Sequence, residues 1–378
     1  MNVNSGRAAL IAAASLIVWE EFPSANVAAI LCSHEICSSI MKNRRPFGNI
    51  PFIGVGDFRQ VSPVVKGQGI APAVHASIQS SNLWSKFKTL TLDVPIRSEN
   101  DIEYTEFVDD IGEDWQHDTV SLSILETVCD INDALEFLFP PDVLSDPFRC
   151  VQRAFLSPKN EFVDDFNNTI LNHVPGNECQ SIFTPFFLSF FLNNRSQDCY
   201  YSADSIKEED AEIDYDFLGL LSHNGIPPHI LRLKEGSICS IMRNLSMHKG
   251  LVKNARVIVN KLHTRFVEVR IIDNRSGELG RTHLIPRIRF EFSAPHSSWT
   301  VVRIQVPLRL AYACTFNGCV GLTFAKTVLD LRNPVFAHGQ LYTALSCVRR
   351  RTDSCIFLPD QADKNTVNVV YKELLLSK

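Results

Sequence analysis

Two short stretches have the residue types and spacing to handle a nucleoside phosphate. Leu16-Ile17-Val18-Trp19-Glu20-Glu21 is an apolar run ending in paired carboxylates, and Ile50-Pro51-Phe52-Ile53-Gly54-Val55 is a second apolar run leading into Gly56-Asp57-Phe58-Arg59-Gln60. In a parallel α/β sheet, ligands collect beyond the carboxyl ends of the strands. A carboxylate pair beside an Asp and a Gln there suits a magnesium–nucleotide site with a positioned water. Such a site also calls for an upstream phosphate-cradling loop, G-x-x-x-x-G-K-[ST], whose amides and lysine grip the phosphates. The 378 residues contain no such pattern. The fifteen residues before Leu16 are too few for another strand, loop and helix, so the first lobe is expected to be partial.

The elements that would position these groups follow from hydrophobic period. Residues 16–19 and 50–55 read as buried strands, 24–41 as the helix between them and 8–14 as the end of an earlier helix. Strand–helix–strand alternation is the signature of a parallel sheet. Residues 83–92 read as another short helix-to-strand passage. The acidic run 103–138 has a helical period, with Phe107, Ile111, Leu122, Leu125 and Val128 facing inward, and reads as a connector between two lobes. Residues 153–158 read as a strand, and 160–171 as an amphipathic helix with Phe162, Val163, Phe166 and Ile170 on its apolar face. From 230 to 289 the texture becomes β-rich (237–242, 256–259, 266–272, 283–285), broken by turns such as Asn274-Arg275-Ser276-Gly277. That pattern suits a small barrel inserted in the second lobe. Residues 306–313 and 327–330 return to α/β texture.

Composition narrows the class. Hydrophobic residues make up 45% and charged residues 21%, an ordinary globular balance. A formal net charge of −5 supplies no global attraction to nucleic acid, so any such binding rests on local basic patches. The eleven cysteines include no C-x-x-C pair, and Cys32/Cys37 and Cys314/Cys319 lack companions at zinc spacing. They read as reduced thiols of a cytosolic or nuclear protein. Residues 8–18 are apolar but follow no basic leader, which argues against a signal peptide. The run Ile182-Phe-Thr-Pro-Phe-Phe-Leu-Ser-Phe-Phe-Leu192, too short for a bilayer and broken by Pro185, reads as translated intron spanning 181–197. Pyrimidine-rich codons before a splice site encode these residue types; the alternative is a buried strand, whose period-2 patterning is absent.

With these residues stated, the chain resembles the PIF-type DNA helicases, in the branch encoded by fungal Helitron transposons. The likeness is collinear: 16–23 (LIVWEEFP), 46–65 (PFGNIPFIGVGDFRQVSPVV), 77–97, 156–160 (LSPKN), 231–251 (LRLKEGSICSIMRNLSMHKGL), 307–323 and 334–349 (PVFAHGQLYTALSCVR). The resemblance implies an α/β fold of two RecA-like P-loop NTPase lobes, the first incomplete, with a small β-barrel inserted in the second. The expected bounds are 1–100 for the partial first lobe, 101–150 for a helical connector, 151–229 and 305–378 for the second lobe, and 230–304 for the barrel. The implied activity is ATP-driven, 5′-to-3′ unwinding of DNA, in repair, recombination, telomere maintenance or transposition. ATP, Mg²⁺ and single-stranded DNA are the implied ligands, with a nuclear location and no membrane.

The roles implied by the resemblance are carried residue by residue. Glu21 matches the glutamate that orients and deprotonates the attacking water, and Glu20 stands where an aspartate holds magnesium. Its extra methylene matters, because Mg²⁺ tolerates little geometric error. Gln60 aligns with the glutamine that senses the γ-phosphate, Asp57 after Gly56 with its supporting acid, and Arg97 with an arginine that reaches nucleotide phosphate.

The second lobe departs from the pattern. In Thr315-Phe316-Asn317-Gly318-Cys319-Val320-Gly321-Leu322-Thr323, a lysine, a serine and two glutamines are replaced by Gly318, Cys319, Val320 and Leu322. Cys347 replaces an arginine finger, a group worth about 10³–10⁵ in rate in related enzymes. On a helix, Arg350 would share the face of Cys347 and is the candidate substitute for nucleotide contact. Asn160, Thr315, Gly321 and Thr323 are the candidate DNA contacts; loop capping by the threonines and helix capping by Asn160 are the alternatives. Lys249, Lys253 and Arg256 fit either a phosphate track or ordinary barrel surface. The sequence thus predicts a helicase copy unable by itself to hydrolyse ATP at a useful rate. Its alternatives are a non-catalytic single-strand- or partner-binding remnant, or a decayed-gene fragment that does not fold stably. If 181–197 is intron-derived, mature transcripts lack its codons; their presence in every mature message would refute that origin.

Overall fold

The computed structural model describes residues 5–65, 69–92, 94–175, 199–207, 215–223, 225–272, 279–294, 299–359 and 363–376. The apolar run 182–192 lies outside them. The chain divides into two compact units, one of residues 1–134, 156–159 and 314–378, the other of 135–155 and 160–313.

The first unit opens with α1 (Gly6–Ala12), β1 (Ile17–Trp19), α2 (Val27–Met41) and β2 (Phe52–Gly54). Asn26 caps α2 by accepting from the Ala28 amide. The strands β1 and β2 pair in parallel, Ile17 with Phe52, Val18 with Ile53 and Trp19 with Gly54. The apolar alternation therefore splits. Ile17, Trp19 and Phe52 pack on a core of Phe22, Ile30, Phe47, Ile78 and Leu83, whereas Val18 and Ile53 are half exposed on the other face. Phe47 stacks on Phe52 with centroids 3.9 Å apart. The glycines of the second strand admit this packing: a Cβ on Gly54 would lie 2.5 Å from the Phe22 ring, and one on Gly56 2.3 Å from Pro23.

Residues 83–92 contain a single 3₁₀ turn, Trp84–Lys86, and no paired strand. The run 103–138 is likewise not one helix. It forms the helix Ile102–Glu113, the short strands Thr119–Ser121 and Glu126–Thr127, and the helix Ile131–Leu138. Leu122, Leu125 and Val128 are buried as expected, but at a turn closed by the Leu125 amide on the Leu122 carbonyl. Burial at every third residue of a turn mimics helical period. Tyr104 and Val108 are buried on the Ile102–Glu113 helix, whereas Phe107 is half-buried. The remainder of the unit is built on a sheet in which Lys326–Asp330 pairs in parallel with Ser354–Phe357, and that with Glu126–Thr127. Residues 156–157 and 314–315, the ends of two further strands, extend it.

The second unit holds the helix Asn160–His173, with Val163, Phe166 and Ile170 buried, and two antiparallel sheets. The larger runs in the order Leu279–Pro286, Phe266–Ile272, Arg256–Leu262, Ile238–Ile241, Leu308–Leu310; the smaller joins Ile288–Ser293, Thr300–Gln305 and Ala203–Ile206. A buried Arg303 is paired with Asp204 at 2.8 Å and also donates to the Leu218 and Pro227 carbonyls. Such an arrangement leaves few polar groups of this ion pair unsatisfied. No helix among the described residues is long and apolar enough to cross a membrane, and no disulfide joins described cysteines.

Candidate nucleotide site

The carboxylates at the end of β1 differ in environment. Glu20 is exposed. Glu21 follows it in left-handed backbone (φ 53°), which breaks the strand and starts the 3₁₀ turn Phe22–Ser24. That break half-buries the Glu21 carboxyl and raises its pKa, first by desolvation, then by the nearby charges of Asp57 and Glu20, with Arg97 opposing. A carboxylate poised upward is better placed to take a proton from water. Gly321, at φ 72°, passes so close that a Cβ there would lie 3.0 Å from Glu21 Oε1.

The 57–61 loop beyond β2 is fastened to the segment 338–343 by side chains and backbone together. Asp57 Oδ2 accepts from the Tyr342 hydroxyl at 2.6 Å, and both carboxylate oxygens accept from Arg59. The Arg59 guanidinium lies 4.8 Å from the Tyr342 ring centroid and reaches Asp109 at 2.6 Å. Burial works against the Arg59 charge, but hydrogen bonding and the charge of Asp57 outweigh it and hold the guanidinium firmly protonated. The Val61 amide donates to Thr343 Oγ1 at 3.2 Å. His338 Nε2 lies 2.9 Å from the Phe58 carbonyl, and its Nδ1 accepts from the Tyr371 amide at 2.9 Å. Gly339 (φ 70°) is required here, since a Cβ would meet the Arg59 carbonyl oxygen at 2.3 Å.

This arrangement places the sequence candidates unequally. Glu21, Asp57, Gln60, Arg97 and Gly321 all lie in the first unit, with Arg97 and Asp57 both charging the surroundings of Glu21. Asp57 is engaged by Arg59 and Tyr342. Gln60 Oε1 is buried and accepts no hydrogen bond among the described residues. Gly56 packs against Pro23. Arg97 Nη1 donates to the Ser346 carbonyl at 2.6 Å, so it reaches the residue before Cys347.

Cys347 itself is 2% exposed, and its thiol donates to the Thr343 carbonyl at 3.2 Å and contacts the Cys319 carbonyl at 3.4 Å. The Cys319 thiol is pushed well up, first by its hydrogen bond with Cys347 and then by burial. The helix Gln340–Leu345 ends before Cys347, so helical spacing does not set Arg350 on its face. Arg350 is exposed beside Asp353. Thr315 caps the following turn by accepting from the Gly318 amide at 3.1 Å, which is the loop-capping arrangement, and Thr323 is exposed. In the second unit, Asn160 Oδ1 accepts from Arg309 at 3.3 Å. Sequence reasoning missed Arg59, His338, Gly339, Tyr342 and Thr343, although all five lie inside the matched stretches.

The donor set fits half of a magnesium–nucleotide site. The Glu21 carboxyl can hold a water, the Gln60 oxygen is left without a partner among the described residues, Glu20 is an exposed oxygen donor that could take Mg²⁺, and Arg97 supplies one cation. No group of three or more metal-ligating side chains gathers among the described residues. Mg²⁺ ordinarily keeps several waters and borrows substrate phosphate oxygens. The 378 residues contain no G-x-x-x-x-G-K-[ST] pattern, and Glu20, Glu21, Gln60 and Arg97 by themselves supply the water and cation end of such a site rather than the grip on the phosphates.

Comparison with known proteins identifies the class. The family model "PIF1-like helicase" matches residues 1–113, and "DNA helicase Pif1, 2B domain" matches 216–262. The ATP-dependent DNA helicase PIF1 of Danio rerio is 24% identical over 318 residues, 83% of this chain and 42% of that protein. The Homo sapiens PIF1 is 33% identical over 120 residues, 32% of this chain and 18% of that protein. The Pif1 helicase of Candida albicans superposes with TM-score 0.62 at 19% identity, covering 98% of this chain and 78% of that one. Bacteroides Pif1 in complex with ADP-AlF3 and ssDNA gives 0.63 at 18%, covering 100% and 76%. The fold is that of the RecA-like P-loop helicases. Over these residues the chain is similar to PIF1-like helicases, and it spans about two fifths of the length of the Danio rerio relative.

His338 yields a prediction with a definite sign. Burial lowers its pKa, with the hydrogen bond to the Phe58 carbonyl and the charge of Asp57 opposing. Its contribution to stability is complete above the unfolded value near 6.5 and is lost as pH falls toward the depressed folded value. Taking the pH from about 7.5 to about 5.5 should lower the thermal midpoint more in the wild type than in His338→Gln. Equal shifts in the two proteins would show that His338 does not couple folding to protons.

Proposed function

We propose that this chain is a PIF-type helicase module that binds single-stranded DNA and does not by itself turn over ATP. The observation that carries the reading is position 347. Where the family pattern has an arginine finger, a buried thiol donates to the Thr343 carbonyl and lies against Cys319. A neutral thiol cannot stabilise the charge that develops on a transferring phosphoryl group. The 315–323 loop adds to this: Gly318, Cys319, Val320 and Leu322 offer few side-chain donors to DNA backbone or nucleotide. What persists is the half-buried Glu21 carboxyl and the fastening of the 57–61 loop that carries Gln60.

DNA as the partner is supported by the family and by the ssDNA carried in the Bacteroides Pif1 complex. ATP and Mg²⁺ are the family's ligands, with Glu20 the residue nearest in type to a magnesium ligand here. The Helitron branch, a nuclear location and a role descended from transposition, repair or recombination complete the proposal; the collinear motifs support them.

Two titrations test it. A labelled oligonucleotide should bind with an affinity that falls as salt rises, by a log–log slope of roughly −0.7 per phosphate neutralised. A fluorescent ATP analogue should show no saturable binding below millimolar concentration. Micromolar nucleotide binding, or the absence of salt-dependent single-strand binding, would overturn the reading.

A further inference from the structure

The turn Phe316–Cys319 and the end of the helix Gln340–Leu345 meet through two buried thiols, Cys319 and Cys347. The Cys347 sulfur lies 3.4 Å from the Cys319 carbonyl oxygen, and the two thiols hydrogen-bond to each other. Each is also held from its own side: Cys319 donates to the Phe316 carbonyl at 3.1 Å and Cys347 to the Thr343 carbonyl at 3.2 Å. The backbones around them are pinned as well. The Leu322 amide donates to the Cys319 carbonyl at 3.0 Å and the Phe324 amide to the Cys347 carbonyl at 2.8 Å. Gln340 Nε2 donates to Asn317 Oδ1 at 2.8 Å, joining the helix to the turn directly. Both cysteines depart from the family pattern, which has a serine and an arginine at these positions. Bridging two cysteines requires side chains that face each other at close range, and these two already touch.

We propose that Cys319 and Cys347 are a redox pair, closed to an intramolecular disulfide by a peroxide and reopened by a dithiol, which locks the 316–319 turn to the end of the 340–345 helix. The step balances in two stages. One thiol, as thiolate, attacks a peroxide oxygen and becomes a sulfenic acid, releasing the other oxygen as water or alcohol. The second thiol then attacks that sulfur, forming the S–S bond and expelling water. The two thiols together lose two electrons and two protons, and one peroxide is reduced. Burial sets the rate: the raised Cys319 thiol is scarcely ionised at neutral pH, so closure is slow there and quickens as pH rises. The same burial shields the finished bond from small thiols. The link also removes freedom from the unfolded chain and so stabilises the fold. None of this depends on whether the chain binds or hydrolyses nucleotide.

Peptide mapping of the native full chain after hydrogen peroxide treatment tests it. Trypsin leaves Cys319, together with Cys314, on 310–326 and Cys347 on 333–349. The expected product is these two peptides joined, lighter than their sum by two hydrogens and separated by dithiothreitol. The joined species should survive Cys314→Ser and vanish in Cys319→Ser. The oxidised wild type should also melt about 3 °C or more above the reduced form. A peroxide dose that oxidises the exposed Cys32 and Cys129 but leaves these peptides separate would overturn the proposal. So would a link that persists in Cys319→Ser, or an oxidised form that melts no higher.

Discussion

The carboxylate of Asp57 is the point on which the candidate site depends. It accepts from Tyr342 and from Arg59 on its own loop, and Arg59 in turn stacks on Tyr342 and pairs with Asp109. Removing any member leaves a partly buried charge or hydroxyl without its partner, which is costlier than never having made the bond. Because Gly339 lets the 57–61 backbone approach within contact of the 338–343 segment, the fastening has little slack. The position of Gln60 follows from a loop held in this way, and Asp57 on that loop adds its charge to the surroundings of Glu21.

That constraint is consistent with the proposal that the site keeps its geometry without turning over ATP. The fastening uses Asp57, Arg59, Tyr342, Thr343 and His338, none of which needs to touch nucleotide to stay useful to folding. Residues whose value lies only in charge on a ligand have no such second use. Position 347 is the clearest case: as cysteine it fills a buried niche and satisfies its thiol on neighbouring carbonyls, and the fold gains a small apolar group where the family pattern has a cation. Thr315 behaves similarly, spending its hydroxyl on the cap of its own turn.

Much of this was legible in the residues. The two strands, their parallel pairing and the helix between them follow from apolar runs and from Asn26 at the cap. The strand 266–272 and the helix beginning at Asn160 also stand where their periods put them. What misled was local spacing that different structures share. Leu122, Leu125 and Val128 are three apart because a turn buries them, and 88–92 alternates like a strand but pairs with no strand among the described residues. The placing of Arg350 failed for a related reason, since the helix that would have carried the spacing ends at Leu345. Long-range fastening such as Asp57 to Tyr342 leaves no trace in either local period, and only the side-chain chemistry of the matched stretches hinted at it.

The central proposal is that the Glu21 carboxylate stands here without an arginine at position 347 to neutralise a transferring phosphate. Steady-state ATP hydrolysis by the purified chain, with and without single-stranded DNA and with Glu21→Gln as control, addresses it most directly. The account predicts a background rate that neither DNA nor the substitution alters. A DNA-stimulated rate that disappears in Glu21→Gln would contradict it.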